Sequence, residues 1–287
     1  MIIAIYGSRR QHGAVRQIGN FLNELVAHDI CVVMHPKLYH HLSELNPDCL
    51  KGVILGDERR VEADFAVSLG GDGTFLRTAV WTCCGNTPII GVNTGHLGYL
   101  TALDVDSLPE LPDMLRNDAF IIEHRTLLQV ESPRLPASMG RYALNEVAIT
   151  KEESASMIVA SVNVDETPLA DYRADGLIVC TSTGSTAYNL SVGGPIVQPT
   201  VGVWVLAPVA AHSLSMRPLV ISADSVVDIV PTGRSPHVRL AVDGRSTLIE
   251  TGTHIRLSRA PFTLPLMQLK HHSFASVLRT KLHWGEQ

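Results

Sequence analysis

An aspartate ringed by glycines, Gly70-Gly71-Asp72-Gly73, stands where the apolar run Phe65-Ala66-Val67-Ser68-Leu69 meets a helix-like segment beginning at Thr74. Glycines let a backbone come close to a ligand, and a helix start offers unpaired N–H groups and a positive dipole end to phosphate oxygens. A carboxylate among phosphates would repel them unless it accepts a proton from an attacking hydroxyl or faces a magnesium ion, and both are parts of phosphoryl transfer. The proton-acceptor role for Asp72 is the one favoured here. A tight strand-to-helix turn capped by Asp72 or Thr74 would use the same residues. Two other phosphate loops are excluded: no Gly-x-x-x-x-Gly-Lys occurs, and Leu76 stands where a dinucleotide fingerprint beginning at Gly71 needs its third glycine. Arg77, one turn beyond Gly73, is placed to reach phosphate or to stand exposed on the helix.

Further clusters carry polar groups in apolar surroundings. Asn93-Thr94-Gly95-His96-Leu97-Gly98-Tyr99-Leu100 follows another apolar run, at the carboxyl edge where open α/β sheets bind ligands. Asn145-Glu146 interrupts the apolar residues 142–149, and on a strand its two side chains would point to opposite faces. Arg173-Ala174-Asp175-Gly176 leads through Leu177-Ile178-Val179-Cys180 into Thr181-Ser182-Thr183-Gly184-Ser185-Thr186-Ala187-Tyr188. Five hydroxyls with a glycine can bond phosphate or ribose, and Tyr188 offers a flat face to a purine. A helix start capped by Ser185 or Thr186 is the structural alternative. Gly193-Gly194-Pro195 closes the block as a sharp turn, and Arg9 and Arg10 are candidates to meet donor phosphates, or plain surface arginines.

The elements that must position these groups change character along the chain. Residues 2–6, 30–34, 65–69 and 88–92 are short and β-like, while residues 15–26 and 74–81 space their apolar side chains at helical intervals. Alternating strands and helices imply βαβ units and a parallel sheet. From about residue 120 the segments 121–123, 127–130, 142–150, 158–164, 177–180, 203–207, 226–230 and 255–257 read as successive strands. Ile158, Ala160, Val162 and Val164 form one apolar face, with Asp165-Glu166 as the following turn. The expected division is residues 1–119 for an α/β domain, 120–270 for a β-rich domain, and 271–287 for a closing segment, helical over 273–282, that packs back on the first domain.

Composition narrows the partners. The chain has 287 residues, 45% hydrophobic and 18% charged, with 23 Lys plus Arg against 28 Asp plus Glu for a net charge of -5. That charge argues against non-specific nucleic-acid or anionic-membrane binding, and no apolar run approaches the roughly 20 residues of a membrane span. Five cysteines without a Cys-x-x-Cys spacing, Cys83-Cys84 among them, fit reduced thiols in a cytoplasmic compartment. The low charged fraction suggests buried surface between subunits. No His-Glu-x-x-His occurs among the 13 histidines, so no protein metal site is expected.

The combination resembles the NAD kinases, which phosphorylate the 2′-hydroxyl of the adenosine ribose of NAD to make NADP. The resemblance rests on Gly70-Gly71-Asp72-Gly73, Asn145-Glu146, Asp175-Gly176, Thr183-Gly184-Ser185-Thr186-Ala187-Tyr188 and Gly193-Gly194-Pro195, in the family's order, with residues 93–98 as a weaker companion. It implies a Rossmann-like α/β N-terminal domain, a β-rich, β-sandwich-like C-terminal domain, and an active site in the crevice between them. It also implies that Asp72 accepts the proton. Gly73, Arg77, Asn145, Glu146, Arg173, Asp175, Thr186, Ala187, Tyr188, Asn189, Leu190 and Ser191 would line the dinucleotide site beside it. The implied substrates are NAD and ATP or another phosphoryl donor, with a divalent cation, Mg2+, held mainly through donor phosphates. Assembly as a homodimer or homotetramer is implied as well. Three positions depart from the family pattern: Ser182 in place of proline, Ser156 in place of a basic or histidine side chain, and Arg245 in place of glutamine. Arg245 is an added cation that would alter substrate preference near the dinucleotide or across a subunit contact. The alternatives are a lipid or sugar kinase sharing the first motif, which leaves the Thr-Gly-Ser-Thr-Ala-Tyr block unexplained, and a non-catalytic NAD(H)-binding sensor, which has no use for Asp72.

Overall fold

The computed structural model describes residues 1–8, 12–82, 87–95, 99–117, 119–136, 139–152, 157–270 and 273–285. Arg9, Arg10, Cys83, Cys84, Ser156 and residues 96–98 lie outside the described residues. The chain divides into two compact units, one formed by Met1–His124 with Leu264–Gln287 and the other by Arg125–Thr263.

The first unit is built on β1 (Ile2–Gly7), α1 (Val15–Ala27), β2 (Cys31–Met34), α2 (Pro36–Leu45), β3 (Val53–Leu55), β4 (Phe65–Leu69), α3 (Asp72–Trp81), β5 (Ile89–Asn93), β6 (Leu103–Asp104) and α4 (Leu111–Arg116). Ile18, Phe21, Leu22 and Leu25 recur at helical spacing on α1 and are buried. They meet Ile3, Ile5, Val32, Val67 and Leu69 from the strands in one core. β3, β2, β1, β4 and β5 lie side by side, all parallel, and Leu266 of the last strand of the chain pairs with Ile89 at the far edge. The strand order turns back between β1 and β4, and ligands of open α/β sheets bind outside the carboxyl ends at such a point. Asp72 follows β4 there. Helix α3 begins at Asp72, two residues earlier than the sequence pattern suggests. Helix α2 escapes that pattern because a histidine shares its short buried face, Leu38, His41 and Leu42. Its start is fixed by Pro36 at the first turn and by His35, whose Nδ1 accepts the Lys37 N–H at 3.2 Å.

The second unit is a β-sandwich-like pair of sheets. Its strands are β7 (Phe120–Glu131), shared with the first unit, β8 (Tyr142–Ala143), β9 (Glu146–Lys151), β10 (Ile158–Val164), β11 (Thr167–Ala174), β12 (Gly176–Thr181), β13 (Val203–Val209), β14 (Leu219–Ser222), β15 (Val227–Gly233), β16 (His237–Val242), β17 (Arg245–Glu250) and the first part of β18 (Ile255–Leu269). One sheet runs β14-β13-β12-β9-β16-β17, and the other orders β11, β10, β15 and β18, each antiparallel to its neighbour. Ile149, Leu177, Val179, Trp204 and Leu240 of the first sheet meet Ala160, Val162, Ile229, Ile255 and Leu257 of the second, the two-faced core of a sandwich. The opposite face of the six-stranded sheet, Ala148, Ile178, Cys180, Val205 and Ala207, is covered by Val192 and Val197. Asp165 and Glu166, at φ 49° and 64°, make the tight β10–β11 turn expected of them.

Three readings need correction. Residues 121–123 and 127–130 belong to one continuous strand. Residues 142–150 form two strands broken at Leu144-Asn145. Strands β11, β14, β16 and β17 were not anticipated, and three of these are edge strands whose exposed positions dilute the alternating pattern. Helix α5 (Tyr188–Ser191) is a single turn after the hydroxyl-rich block, and α6 (Phe274–Leu282) closes the chain.

Candidate functional site

Asp72 is aimed by backbone on two sides. Gly70 sits at φ 148°, and a Cβ there would fall 2.5 Å from the Thr74 hydroxyl oxygen, so only glycine fits the exit from β4. Gly71 is the helix N-cap, and its carbonyl accepts the Thr74 and Phe75 N–H groups. Neither Asp72 nor Thr74 caps the helix with its side chain, which corrects the capped-turn alternative. The Asp72 carboxylate instead reaches the loop after β5, where Oδ2 accepts the Tyr99 N–H and Oδ1 the Leu100 N–H, each at 2.9 Å. One N–H per oxygen fixes the plane of the carboxylate and leaves lone pairs on both oxygens for an incoming proton. The loop lies on β5 because Gly91 has no side chain. A Cβ there would meet the Leu100 carbonyl oxygen at 2.5 Å, and Ala102 N–H bonds the Gly91 carbonyl. Asn93 turns its Oδ1 back to the Gly95 N–H. Gly73 and Arg77 are exposed, and Arg77 Nη2 lies 3.3 Å from the Thr74 hydroxyl.

In the second unit the break at Leu144-Asn145 has a cause that the sequence pattern did not reveal. Asp243, at φ 46° in the β16–β17 turn, sends its carboxylate to three consecutive backbone N–H groups: Leu144 at 2.8 Å, Asn145 at 2.9 Å and Glu146 at 3.1 Å. Thr181 completes the frame, its hydroxyl donating to the Leu144 carbonyl and its N–H to the Asn145 carbonyl. Asn145 thus sits in the break and Glu146 opens β9, both held by the Asp243 turn and not displayed side by side along one strand. Glu146 is half-buried, with Oε2 shielded and unbonded among the described residues. Burial, and then the charge of Asp243, push its carboxyl up to about 7, while the Tyr188 N–H donated to it pulls the other way.

Asp175, also half-buried, is paired with Lys151 at 2.9 Å and stands 3.7 Å from His212 Nε2. The Lys151 hydrogen bond, first among the causes, lowers its carboxyl below the usual range. Arg173 is exposed on β11, and its carbonyl accepts the His212 N–H. Lys151, His212 and Asp243 went unselected in the sequence. An Asp-Gly pair between strands signals a turn, and nothing in it announces a carboxylate that organises residues about a hundred positions away.

The hydroxyl block is mostly spent on its own backbone. Ser182 donates to the Val201 carbonyl, tying down the position where the family pattern has proline. The Ser185 hydroxyl stands 2.8 Å from the Ser182 carbonyl and 3.2 Å from the Val197 carbonyl, one proton serving both acceptors, and accepts the Val197 N–H. Thr186 bonds the Thr183 carbonyl, and Thr183 lies 3.5 Å from Nη1 of the buried Arg125. Neither Ser185 nor Thr186 is a helix cap. Asn189 is fully buried, its amide donating to the Ser185 and Pro195 carbonyls, so it braces the turn at Gly193-Gly194-Pro195. Thr186, Ala187 and Leu190 are half-buried, and Tyr188 and Ser191 are exposed. Tyr188 is 40% exposed, and its backbone N–H is donated to the Glu146 carboxyl. Arg245 turns inward, with its guanidinium against Gly140 and its Nε 3.4 Å from the Val242 carbonyl.

Family models match both units. The ATP-NAD kinase N-terminal domain matches residues 14–120 and the ATP-NAD kinase C-terminal domain residues 144–269. The chain belongs to the ATP-NAD kinase family. It is 42% identical over 286 residues to an NAD kinase of Porphyromonas gingivalis and 36% identical over 289 residues to one of Bacteroides fragilis, covering 99% of this chain and 98% of each relative. Among solved structures, an NAD kinase from Archaeoglobus fulgidus in complex with ATP is similar at a TM-score of 0.73 and 26% identity, covering 99% of both chains. A yeast NADH kinase complexed with NADH shares the fold at a TM-score of 0.89 and 23% identity, covering 100% of this chain and 89% of the yeast one.

Proposed function

We propose that this chain is an NAD kinase that transfers the γ-phosphoryl group of ATP to the 2′-hydroxyl of the adenosine ribose of NAD, with Asp72 as the proton acceptor. Family membership supplies the reaction, and the Asp72 carboxylate, held by the Tyr99 and Leu100 amides, supplies the residue. The ribose hydroxyl is a weak acid, so Asp72 orients it and takes its proton late, while positioning contributes much of the acceleration. Asn145, Glu146, Asp175 and the segment from Thr186 through Ser191 serve the dinucleotide in this proposal. Glu146 and Tyr188 are brought together there, and Asn189 acts by bracing the turn. Gly73, Arg77 and Arg173 are proposed at its margins. All three are exposed.

Mg2+ is proposed to enter with the donor, bound by its phosphates and neutralising their charge. No helix among the described residues is long and apolar enough to cross a membrane. A cytoplasmic location and self-association as a dimer or tetramer complete the proposal, the latter supported by exposed Leu169, Leu214, Val220 and Leu248. The test is to incubate the protein with NAD, ATP and magnesium and read NADP with an NADP-specific dehydrogenase. NADP formation is expected, whereas NAD binding without NADP would favour a sensor.

A further inference from the structure

Asp72 depends on the loop that holds it, and that loop has a second attachment in the same unit. Helix α6 is capped by Ser273, whose hydroxyl accepts the Ser276 N–H at 3.2 Å, and it buries none of its side chains fully. It delivers one group inward. Lys281 is half-buried, its Nζ donates to the Thr101 carbonyl at 3.3 Å, and the same ammonium stands over the Tyr99 ring, 5.8 Å from the centroid. Tyr99 and Leu100 are the residues whose N–H groups hold Asp72, and Thr101 follows directly. Beneath them Gly91 lets the loop lie on β5, so the loop is held from the strand on one side and from Lys281 on another. The Tyr99 hydroxyl is buried without a partner among the described residues, so what Tyr99 offers is its ring, and a cation occupies that face. Burial lowers the Lys281 ammonium from its ordinary range, and the charges of Asp72 and Asp104 oppose that shift. A surface lysine kept only for solubility would not be partly desolvated in this way.

We infer that Lys281 is a positioning residue for Asp72: by clamping Tyr99 and Thr101 it fixes the two amides that orient the carboxylate. This rests on the proton-acceptor assignment of Asp72. A reacting group displaced by about 1 Å costs roughly 10²-fold in rate. Losing the clamp should therefore lower kcat about 10- to 100-fold while KM for NAD and for ATP changes by less than about threefold.

The experiment compares wild type with Lys281→Met, which keeps the aliphatic stem, and Lys281→Arg, which keeps the charge. Two readouts are needed: steady-state kinetics and amide hydrogen exchange of the segment carrying Tyr99 and Leu100. Met is expected to lower kcat and speed exchange in that segment, and Arg to restore both substantially. Unchanged exchange in Lys281→Met overturns the clamp, and faster exchange with unchanged kcat overturns its bearing on catalysis. A rise confined to KM for ATP would make Lys281 a phosphate ligand and overturn the positioning role. Exchange needs no turnover, so a wild type that makes no NADP would fail the Asp72 assignment while the clamp is still measured.

Discussion

Asp243→Asn removes one charge and keeps the shape of the side chain that organises Leu144, Asn145 and Glu146. In the native chain three N–H groups converge on its two carboxylate oxygens, at 2.8, 2.9 and 3.1 Å. Hydrogen bonds to a charged acceptor contribute roughly 1.5–3 kcal/mol each, against about 1 for neutral pairs. Asparagine keeps one acceptor oxygen and turns an NH2 group toward an N–H, so at least one amide is orphaned and the others weaken. Burial already raises the Asp243 carboxyl, so the neutral replacement recovers part of that penalty. The net expectation is a loss of about 2–4 kcal/mol, measured as a lower urea midpoint at unchanged slope. A second readout is specific to the site. Because the Asp243 charge is the second cause raising Glu146, the Glu146 midpoint should fall below about 7 yet stay above 4.5, followed by its carboxyl carbon chemical shift. Unchanged stability together with an unmoved Glu146 midpoint would refute the arrangement.

Other outcomes follow from single groups. Glu146 has a folded midpoint of about 7 against an ordinary 4.5, so the folded chain binds its proton more tightly than the unfolded one. Its contribution to stability is fully present below pH 4.5 and is lost as pH rises through about 7, a change of about 3 kcal/mol, and Glu146→Gln should remove that part of the urea-midpoint profile. Gly70→Ala forces a side chain into φ 148° and against Thr74, so it should cost about 1–3 kcal/mol in the melting profile and lower kcat by displacing Asp72. Normal kcat in that variant would separate the β4 turn from the chemistry.

The parts legible in the sequence are those where local chemistry decides the structure. Residues 65–69 read as a strand because a continuous apolar run ends at glycine, and α1 showed its buried stripe at regular spacing. Asp72 drew notice because a carboxylate among glycines has little structural use. What stayed hidden depends on distant partners. The Asn145-Glu146 segment looks like strand from its own residues, and only a carboxylate nearly a hundred positions away breaks it. Likewise the hydroxyls of Ser182 and Ser185 suggested ligand contacts, yet their bonds go to the carbonyls of Val201 and Val197. Lys281 sits on a helix that buries none of its side chains fully, and its bond to Thr101 spans 180 positions.

The most direct test of the central claim is a single-turnover measurement with γ-labelled ATP and NAD, comparing wild type with Asp72→Asn while NAD affinity is measured on both. The account predicts label at the adenosine ribose 2′-position for wild type and a rate at least ~10²-fold lower for the variant, with NAD affinity largely retained. A variant that transfers label at near wild-type rate would contradict the role of Asp72.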